Sequence, residues 1–387
     1  MLRRQYTSFD YWLLLATIAL TVFGLVMIGS ATRINVLGES RQFNQQLTFL
    51  VLGLVLLLTA AFIDYHFIAK FFVPIYLLCI GLLVGTLLYG WYFTPRPDVW
   101  RWIFIGTPTN NIGGMQPSEF TKVFMIIFLA TVIDKFGAVI NNFRMLVFLG
   151  ISIIVPVGLI FVQPSLSASM VVLMISLAVL FAGNVGGKHV FYALIVLTPI
   201  AMFAAYDLGR EQPLIADRIF QEYQLGRIET ILNPDIVDTD ARFQIERSIA
   251  AIGSGQLTGK GLYQGTIVQT ARLPHAETDF IISVIGEEFG FVGLMGVLLA
   301  MLFVVARCLY TAATAPDMLG RLIASGVGMM LAFQSFINVG VVTELLPNTG
   351  VPFPFVSYGG SSLVTSLIAI GLVINVQMSK SKSIFEE

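Results

Sequence analysis

The sequence has few charged residues for its length, and this shortage excludes most soluble folds. Of its 387 residues, 12% are charged and 56% are hydrophobic, and the mean hydropathy is +0.84. A soluble domain carries about 25% charged residues, because a protein of this size still exposes much of its surface to water. The net charge of −1 gives no sign of a nucleic-acid partner. The composition therefore predicts a protein whose surface faces lipid.

Cysteine and histidine are also scarce. Cys79 and Cys308 lie in separate apolar runs, and the three histidines are far apart in the sequence. A disulfide framework needs more cysteines, and a zinc site needs ligands at short spacing. We interpret both cysteines as small buried apolar residues. No cofactor is evident from the sequence, and a divalent cation at a phosphate group stays open.

Ten apolar segments are long enough, or nearly so, to cross a membrane as helices. A hydrocarbon core of about 30 Å needs about 20 residues in helix. A membrane β-barrel would show strands of alternating polarity instead. The predicted fold class is therefore all-α, a polytopic integral membrane protein with about ten transmembrane helices in a single membrane domain, residues 1–387. The predicted spans are 11–31, 45–63, 71–93, 119–134, 143–162, 166–183, 188–206, 281–306, 320–343 and 361–378.

Lysine and arginine in the short connections predict the orientation, because they are enriched on the cytoplasmic side. With the N-terminus inside, the inner side holds ten of them and the outer short loops hold four. The inner ones are Arg3, Arg4, Lys70, Lys135, Arg144, Lys188, Arg307, Arg321, Lys380 and Lys382, and the outer ones are Arg33, Arg41, Arg96 and Arg101. Both termini are therefore expected in the cytoplasm. The first span is too long for a signal peptide and is interpreted as uncleaved.

A polar segment of residues 207–279, between the seventh and eighth spans, is predicted to be a large extracellular loop. It holds eleven acidic and seven basic residues, or eighteen of the 45 charges in the chain. Apolar residues recur in it at helical spacing, which predicts two amphipathic helices on the membrane surface or packed on the bundle. These residues are Ile215, Ile219, Tyr223 and Ile228 in the first helix, and Phe243, Ile245, Ile249 and Ile252 in the second.

A glycine-rich run follows, from Gly253 to Gly265. It departs from the phosphate loop of nucleotide hydrolases, because Ser254 takes the first glycine position and Gly261 follows the lysine. A tight irregular loop is the simpler expectation. The alternative is that backbone amides and Lys260 meet a pyrophosphate.

Asp279 lies where the polar segment becomes the eighth span. One interpretation is that Thr278 or Asp279 caps that helix. The other is that Asp279 faces a cavity at the lipid–water boundary and accepts a proton from a sugar hydroxyl. Glu287 and Glu288 follow inside an apolar stretch. They are either functional groups at membrane depth or groups near the interface that reach water.

Two more polar clusters are predicted on the same side as Asp279. Arg101-Trp102 precedes the fourth span, and the run Gln116–Lys122 lies at its start. There Ser118 and Glu119 can cap and charge-match the start of the helix, and Glu119 can pair with Lys122. The run Leu346–Ser362 is rich in proline and glycine and cannot be regular helix. Irregular backbone near membrane depth must be buried or line a cavity. This common side predicts one external site.

These stretches together resemble the SEDS family (shape, elongation, division and sporulation), which includes RodA, FtsW and SpoVE, along almost the whole chain. The short tails favour a RodA-like member. The matching stretches are Arg101-Trp102, Gln116–Lys122, Ala251–Gly255, Gly259–Leu262, Thr278–Ile281, Ile285–Gly290 and Pro352–Ser362.

The resemblance implies a peptidoglycan glycosyltransferase of the bacterial cytoplasmic membrane that polymerises lipid II into β-1,4 glycan strands on the outer face. It implies a class B penicillin-binding protein as partner, besides membrane lipid. The catalytic aspartate of the family maps onto Asp279, and its paired glutamate and lysine map onto Glu119 and Lys122. The further substrate-binding candidates are Arg101, Trp102, Gln163, Lys260, Ser357 and Tyr358.

The sequence departs from the family pattern at two places. The family's Gln-Pro-Asp-Leu-Gly-Thr is here Gln163-Pro-Ser-Leu-Ser-Ala168, so no acidic role passes to Ser165. Glu277 stands where many members have a histidine directly before the Thr-Asp pair. Two rival functions stay open: a transporter or flippase of lipid-linked precursors, and a non-catalytic scaffold. Transporters often show inverted repeats and charges at the bilayer midplane, whereas here no repeat is found and the polar clusters share one side.

Overall fold

The structure is a computed structural model that describes residues 9–32, 41–93, 101–107, 110–163, 165–185, 239–270, 273–346 and 350–383. Its helices are α1 (Tyr11–Ala31), α2 (Arg41–Phe62), α3 (Tyr65–Lys70), α4 (Phe72–Phe93), α5 (Pro117–Phe136), α6 (Phe143–Val162), α7 (Leu166–Ala182), α8 (Thr239–Ser254), α9 (Thr266–Gln269), α10 (Ile281–Ala313), α11 (Met318–Val342) and α12 (Gly360–Ser383). The strands are β1 (Ile103–Thr107) and β2 (Asn110–Met115).

Nine of the ten predicted spans are helices in the structure, and the seventh, 188–206, lies outside the described residues. Seven of the described helices are long and apolar enough to cross a membrane, and α7 is a shorter apolar helix. Helix α5 carries four charged residues, Glu119, Lys122, Asp134 and Lys135, which is why its apolar character is weaker. The all-α, multi-pass membrane fold is confirmed.

Helix α12 is the centre of the bundle and is almost wholly buried. It packs closely on α2, because small residues let the two backbones approach. A Cβ atom on Gly53 would lie 2.5 Å from a methyl group of Leu367, and one on Gly371 would lie 2.3 Å from the carbonyl oxygen of Leu57. Helices α5 and α11 also pack against α12. Helix α12 is therefore packed against α2, α5 and α11.

The two strands form an antiparallel hairpin that the sequence analysis did not predict. Ile103 pairs with Met115 and Thr107 with Asn110, and the register shifts between Ile105 and Gly106. The second strand leads directly into α5. The Ser361 hydroxyl, in the first turn of α12, donates a hydrogen bond to Gly114 O (3.3 Å). The hairpin is therefore attached to the central helix as well as to α5.

Short connections make successive spans antiparallel, so the bundle has two distinct ends. At one end α1, α6 and α11 finish and α5, α7, α10 and α12 begin. We name it the Asp279 end. At the other, the Asp10 end, α1 and α11 begin and α10 and α12 finish.

Helix α8 confirms the second amphipathic helix of the polar segment and corrects its buried face. Ile245, Ser248 and Ala251 are buried, whereas Phe243 and Ile249 are 42% and 41% exposed. The Ser248 hydroxyl bonds to the Ser283 hydroxyl (2.7 Å) and to Val342 O (2.9 Å). The helix therefore packs on α10 and α11 through a partly polar face, which an apolar periodicity does not detect. The first predicted helix, Ile215–Ile228, lies outside the described residues.

Candidate active site at the Asp279 end

Asp279 lies in a run of turns just before α10, and its side chain is partly exposed. The helix begins at Ile281 with Phe280 in the N-cap position. The Thr278 hydroxyl donates to His275 O (3.2 Å). The interpretation that Thr278 or Asp279 occupies the N-cap position is therefore wrong, because the helix starts one residue later. The carboxyl group instead belongs to the irregular segment at the mouth of the bundle.

Asn338 of α11 joins the Asp279 segment to the proline-rich loop, residues 350–359. Its side-chain amide donates to Asp279 O (2.8 Å) and to Val351 O (2.7 Å). The backbone N–H of Tyr358 donates to Glu277 O (2.8 Å). Two separate contacts therefore hold the proline-rich loop beside Asp279.

Ser357 and Tyr358, both predicted substrate-binding residues, are fixed inside this loop and against α2. The Ser357 hydroxyl accepts a hydrogen bond from Phe353 N (2.8 Å), and the Tyr358 hydroxyl donates to Gln45 Oε1 (2.7 Å). Gln46 donates to Ser357 O (3.2 Å) and accepts from Gly359 N (3.1 Å). Burial raises the pKa of the Tyr358 phenol, so it stays a protonated donor at neutral pH.

Glu119 and Lys122 form a buried ion pair in the first turns of α5. Lys122 Nζ donates to Glu119 Oε2 (2.6 Å), and the two residues are 2% and 6% exposed. The predicted pairing is confirmed, and its burial makes it more than a minor surface contact. The N-cap residue is Gln116, without a side-chain cap. Ser118 lies inside the helix, and its buried hydroxyl has no partner in the part of the chain that the structure describes. The expectation that Ser118 caps α5 is therefore wrong.

Hydrogen bonds link the start of α5 to the proline-rich loop through Ser361. Ser361 lies four residues after Ser357, and its hydroxyl accepts a hydrogen bond from Gln116 N (3.0 Å). Arg101 and Trp102 are partly exposed and directly precede β1, whose partner strand leads to Gln116. The Nε atom of Arg101 is buried and has no hydrogen-bond partner among the described residues. The structure therefore places the Arg101–Lys122 cluster at the same end as Asp279, as predicted.

Gln163 and Lys260 lie at the Asp279 end but are bonded to other elements. Gln163, at the end of α6, is buried and donates to Leu83 O (2.8 Å) of α4. Lys260 Nζ donates to Glu287 Oε1 (2.7 Å) and to the Thr266 hydroxyl (2.7 Å). The positive charge of Lys260 is therefore matched by a carboxylate within the chain.

Glu287 is fully buried, so the interpretation that it reaches water near the interface is wrong. Its carboxylate accepts from Lys260, from the Thr266 hydroxyl (3.1 Å) and from the backbone N–H groups of Ile267 (2.8 Å) and Val268 (3.0 Å). The same interpretation is wrong for Glu288, which is 1% exposed and accepts from the Ser30 hydroxyl of α1. The two acids anchor the glycine-rich loop to α10 and α1.

The glycine-rich loop completes the backbone of α10 where that helix is broken. Gly290 has φ 64° and ψ −161°, which interrupts the helix. Lys260 N and Gly261 N donate to Glu287 O and Glu288 O (3.0 and 2.9 Å), and Phe291 N and Val292 N donate to Gln256 O and Leu257 O (2.8 and 3.0 Å). Gly259 lies so close that a Cβ would meet Glu288 O at 2.2 Å. The expected tight irregular loop is confirmed, and the contact explains its glycines.

Among the residues that the structure describes, no group of three or more His, Cys, Asp or Glu side chains is arranged to hold a metal ion. Glu287, Glu288, Asn338 and Gln46 carry the site's internal contacts, and the sequence analysis assigned none of these contacts. The two glutamates were singled out as charges inside an apolar stretch. Asn338 and Gln46 had no signal beyond being polar residues inside apolar helices, which is costly unless they are bonded.

Comparison with known proteins agrees with this architecture. The family model FTSW_RODA_SPOVE, described as "Cell cycle protein", matches residues 11–382. The probable peptidoglycan glycosyltransferase FtsW of Trichlorobacter lovleyi is 34% identical, over 97% of this chain and 95% of its own. The peptidoglycan glycosyltransferase MrdB of Escherichia coli K12 is 31% identical, over 97% and 96%.

Solved structures are similar over the same length. A chain of a peptidoglycan synthase complex that coordinates polymerization and crosslinking has a TM-score of 0.76 at 26% identity, covering 96% of this chain and 98% of its own. The rod shape determining protein RodA of Thermus thermophilus has a TM-score of 0.68 at 25% identity, covering 97% and 98%. Relatives of both the FtsW and RodA kinds match, so the preference for RodA stays a prediction. The chain belongs to the FtsW, RodA and SpoVE family of multi-pass membrane proteins.

Proposed function

We propose that the chain is a peptidoglycan glycosyltransferase that polymerises lipid II into β-1,4 glycan strands, with its chemistry at the Asp279 end. The names of its relatives support the activity. The observation that carries the site is the placement of Asp279. It is partly exposed in irregular backbone beside the proline-rich loop, at the end of the bundle where Glu119 and Lys122 are buried.

In the proposed reaction, Asp279 is the general base. Its carboxylate takes the proton of the 4-hydroxyl of one lipid II GlcNAc as that oxygen attacks C1 of the MurNAc at the growing end. The new C1–O4 bond forms while the bond from C1 to the pyrophosphate oxygen breaks, and undecaprenyl pyrophosphate leaves with the bonding electrons. Attack on the face opposite the leaving group converts an α-linked donor into a β-linked product. A positioned base contributes about 10²- to 10⁴-fold to the rate of such a step.

Binding of the pyrophosphate falls in this proposal to the cluster at the start of α5. Lys122 supplies a positive charge whose position is fixed by Glu119, and charges fixed in advance stabilise a leaving anion best. Arg101 and Trp102 are partly exposed at the same end and take the sugar or phosphate groups. Ser357 and Tyr358 shape the proline-rich wall. Gln163 acts through its bond to α4, and Lys260 acts through its bond to Glu287 of α10. The role of a divalent cation is tested by adding a chelator to the assay.

The proposal places the Asp279 end at the outer face of the bacterial cytoplasmic membrane, with both termini in the cytoplasm. The excess of lysine and arginine near the opposite end supports this orientation. Residues 207–279 then form an extracellular loop within one membrane domain. A class B penicillin-binding protein is the proposed partner, because a similar chain occurs in a complex that couples polymerization to crosslinking.

The test is polymerisation by the purified chain, with and without its transpeptidase partner, from labelled lipid II. Wild type is expected to form glycan strands in the presence of moenomycin, an inhibitor of glycan polymerases outside this family. Asp279→Asn keeps the shape of the side chain but loses its basicity, and is expected to be at least about 100-fold slower. Normal strand formation by Asp279→Asn would remove Asp279 from the chemistry.

A flippase is the second candidate, because intramembrane charges also suit transport. The two functions differ in one measurement. A flippase moves labelled lipid II across a vesicle membrane without changing its length, whereas a polymerase makes longer strands without moving monomers. Movement without polymerisation by wild type, with its partner present, would favour the flippase.

A further inference from the structure

Asn338, the asparagine of α11 that bonds to Asp279 O, has a counterpart with nearly the same kind of contacts at the opposite end of the bundle. Asn338 is 1% exposed, and its amide donates to the carbonyl oxygens of Asp279 and Val351. Asn375 of α12 is 0% exposed, and its amide donates to the carbonyl oxygens of Ala60 (2.8 Å) and Ile63. In both, the side-chain oxygen is buried without a partner among the described residues. The two differ in what they hold.

The acceptors of Asn375 are the last carbonyl groups of a helix. Ala60 lies in the final turn of α2, and Ile63 directly follows that helix. Carbonyl groups at a helix end have no partner within the helix. Asn375 therefore completes a regular element, and its role is stability.

The acceptors of Asn338 belong to two irregular segments that lie outside the helices. Asp279 precedes α10 and Val351 begins the proline-rich loop. The amide donor comes from α11, a buried helix with regular geometry. Asn338 thus joins the residue proposed as base directly to the loop opposite it, beside the backbone bond from Tyr358 N to Glu277 O.

We infer that Asn338 is a positioning residue, which holds the main chain of Asp279 against the proline-rich loop so that the carboxylate meets the attacking hydroxyl. This inference rests on the proposed function. Asn338 bonds to the main-chain carbonyl of Asp279 and not to its carboxylate. It therefore sets where the base lies rather than how strongly it binds a proton.

The matched variants are Asn338→Leu and Asn375→Leu. Leucine has nearly the shape of asparagine and no donor, so each variant leaves two carbonyl groups without their bond. Both variants are expected to lower the melting temperature by a similar amount. Asn338→Leu is also expected to lower kcat by about ten- to 100-fold, because a misplacement of about 1 Å at a reacting group has this effect. Asn375→Leu should keep the kcat of wild type.

Two further readouts separate positioning from folding. In Asn338→Leu the KM for lipid II should stay within about twofold of wild type, because Asn338 is not proposed to contact the substrate. The midpoint of the acid limb of its pH–rate profile should also stay unchanged, because Asn338 bonds to the main-chain carbonyl of Asp279 and not to its carboxylate. If Asn338→Leu does not fold, Asn338→Ser replaces it, since serine keeps one donor and should give an intermediate kcat.

The inference is overturned if both leucine variants lose kcat equally, or if Asn338→Leu or Asn338→Ser keeps the kcat of wild type. It is also overturned if the loss appears in KM alone. Asp279→Asn in the same assay distinguishes failure of this inference from failure of the proposed function. An inactive Asp279→Asn with a fully active Asn338→Leu rejects only the positioning role. An active Asp279→Asn rejects the proposed chemistry itself.

Discussion

The two ends of the bundle start their helices in different ways. At the Asp10 end, aspartate side chains cap three helices: Asp10 accepts from Leu13 N, Asp64 from His66 N and Asp317 from Gly320 N. Helix α6 also begins at the Asp10 end, but its N-cap residue Asn142 makes no side-chain cap bond. At the Asp279 end, the N-cap residues that the structure describes for α5, α7 and α10 make none either. Caps satisfy amide groups that a helix leaves open. Among these described helix starts, side-chain caps therefore occur only at the Asp10 end.

Backbone strain is divided between the ends in the same uneven way. Except for Asn184, the described residues with positive φ lie at the Asp279 end or in the segments packed on it. They are Gln256, Gly259, Gly261, Tyr263, His275, Gly290, Glu344, Gly350 and Phe355. Unusual backbone conformations persist only where surrounding contacts enforce them, and they collect at functional sites. The comparison teaches that regular, capped helix starts dominate one end, whereas irregular backbone dominates the end where we propose the reaction.

The buried ion pairs give the largest test of this contrast. Glu119→Ala leaves the buried charge of Lys122 unpaired and should destabilise the protein by about 3–5 kcal/mol. Asp10→Ala breaks the bond to Arg307 at the other end (2.7 Å), but the Arg307 side chain is 26% exposed. Water can therefore solvate it, and the loss of stability should be smaller even though the N-cap bond from Leu13 N (3.0 Å) is lost as well.

Turnover and thermal unfolding, measured together in one detergent, check the ion-pair prediction. The double variant Glu119→Ala with Lys122→Met should recover stability but not polymerisation. Asp10→Ala should keep the turnover of wild type. Full activity in the double variant would show that the two ends differ less than their geometry indicates.

Two glycines at the end of α8 test whether the strained contacts are tight. A Cβ on Gly255 would lie 1.9 Å from Gly286 O, whereas one on Gly253 would meet nothing within 4 Å. Gly255→Ala should therefore destabilise the protein by about 1–3 kcal/mol. Gly253→Ala, in the last turn of the same helix, should be neutral or stabilise it by up to about 1 kcal/mol. Melting temperatures of the two variants decide, and equal values would contradict the close contact.

A buried tyrosine, Tyr65, and a partly buried one, Tyr358, provide the smallest test, one at each end. Tyr65 donates to Asp317 Oδ2 (2.8 Å), and Tyr358 donates to Gln45 Oε1 (2.7 Å). Either change to phenylalanine should cost about 0.5–1.5 kcal/mol. Tyr358→Phe should also raise the KM for lipid II, whereas Tyr65→Phe should leave KM and kcat unchanged. A shift in KM with Tyr65→Phe would break the comparison.

The pH dependence of these tyrosines has a definite sign. Burial raises the pKa of Tyr65 and of Tyr358 above the ordinary value of 10, with a further contribution from Asp317 at Tyr65. A raised folded-state pKa gives stability that is complete below the unfolded value and is lost as pH rises above about 10. Stability measured between pH 9 and 11 should therefore fall less with pH in each phenylalanine variant than in wild type.

The sequence predicted the spans well because apolar length is a strong signal in a membrane protein. It also placed Asp279, Glu119 and Lys122 on one side, because alternation of spans fixes the side of each connection. It did not reveal Asn338 or Gln46, since a hydrogen bond to a distant carbonyl leaves no local pattern. The hairpin between Arg101 and Gln116 was missed among irregular residues, and the polar contact at Ser248 displaced the predicted apolar face of α8.

The junction between the glycine-rich loop and the break in α10 has a consequence for the order of assembly. Around Gly290, bonds that a continuous helix would make with itself are made with residues 256–261 instead. If α10 were inserted before this loop had docked on it, peptide groups of the helix would lie within the membrane without hydrogen bonds, which is unfavourable. Insertion of α10 is therefore completed only when the preceding extramembrane chain docks. The ribosome makes the loop first, so the segment that closes the helix is already present when the helix emerges.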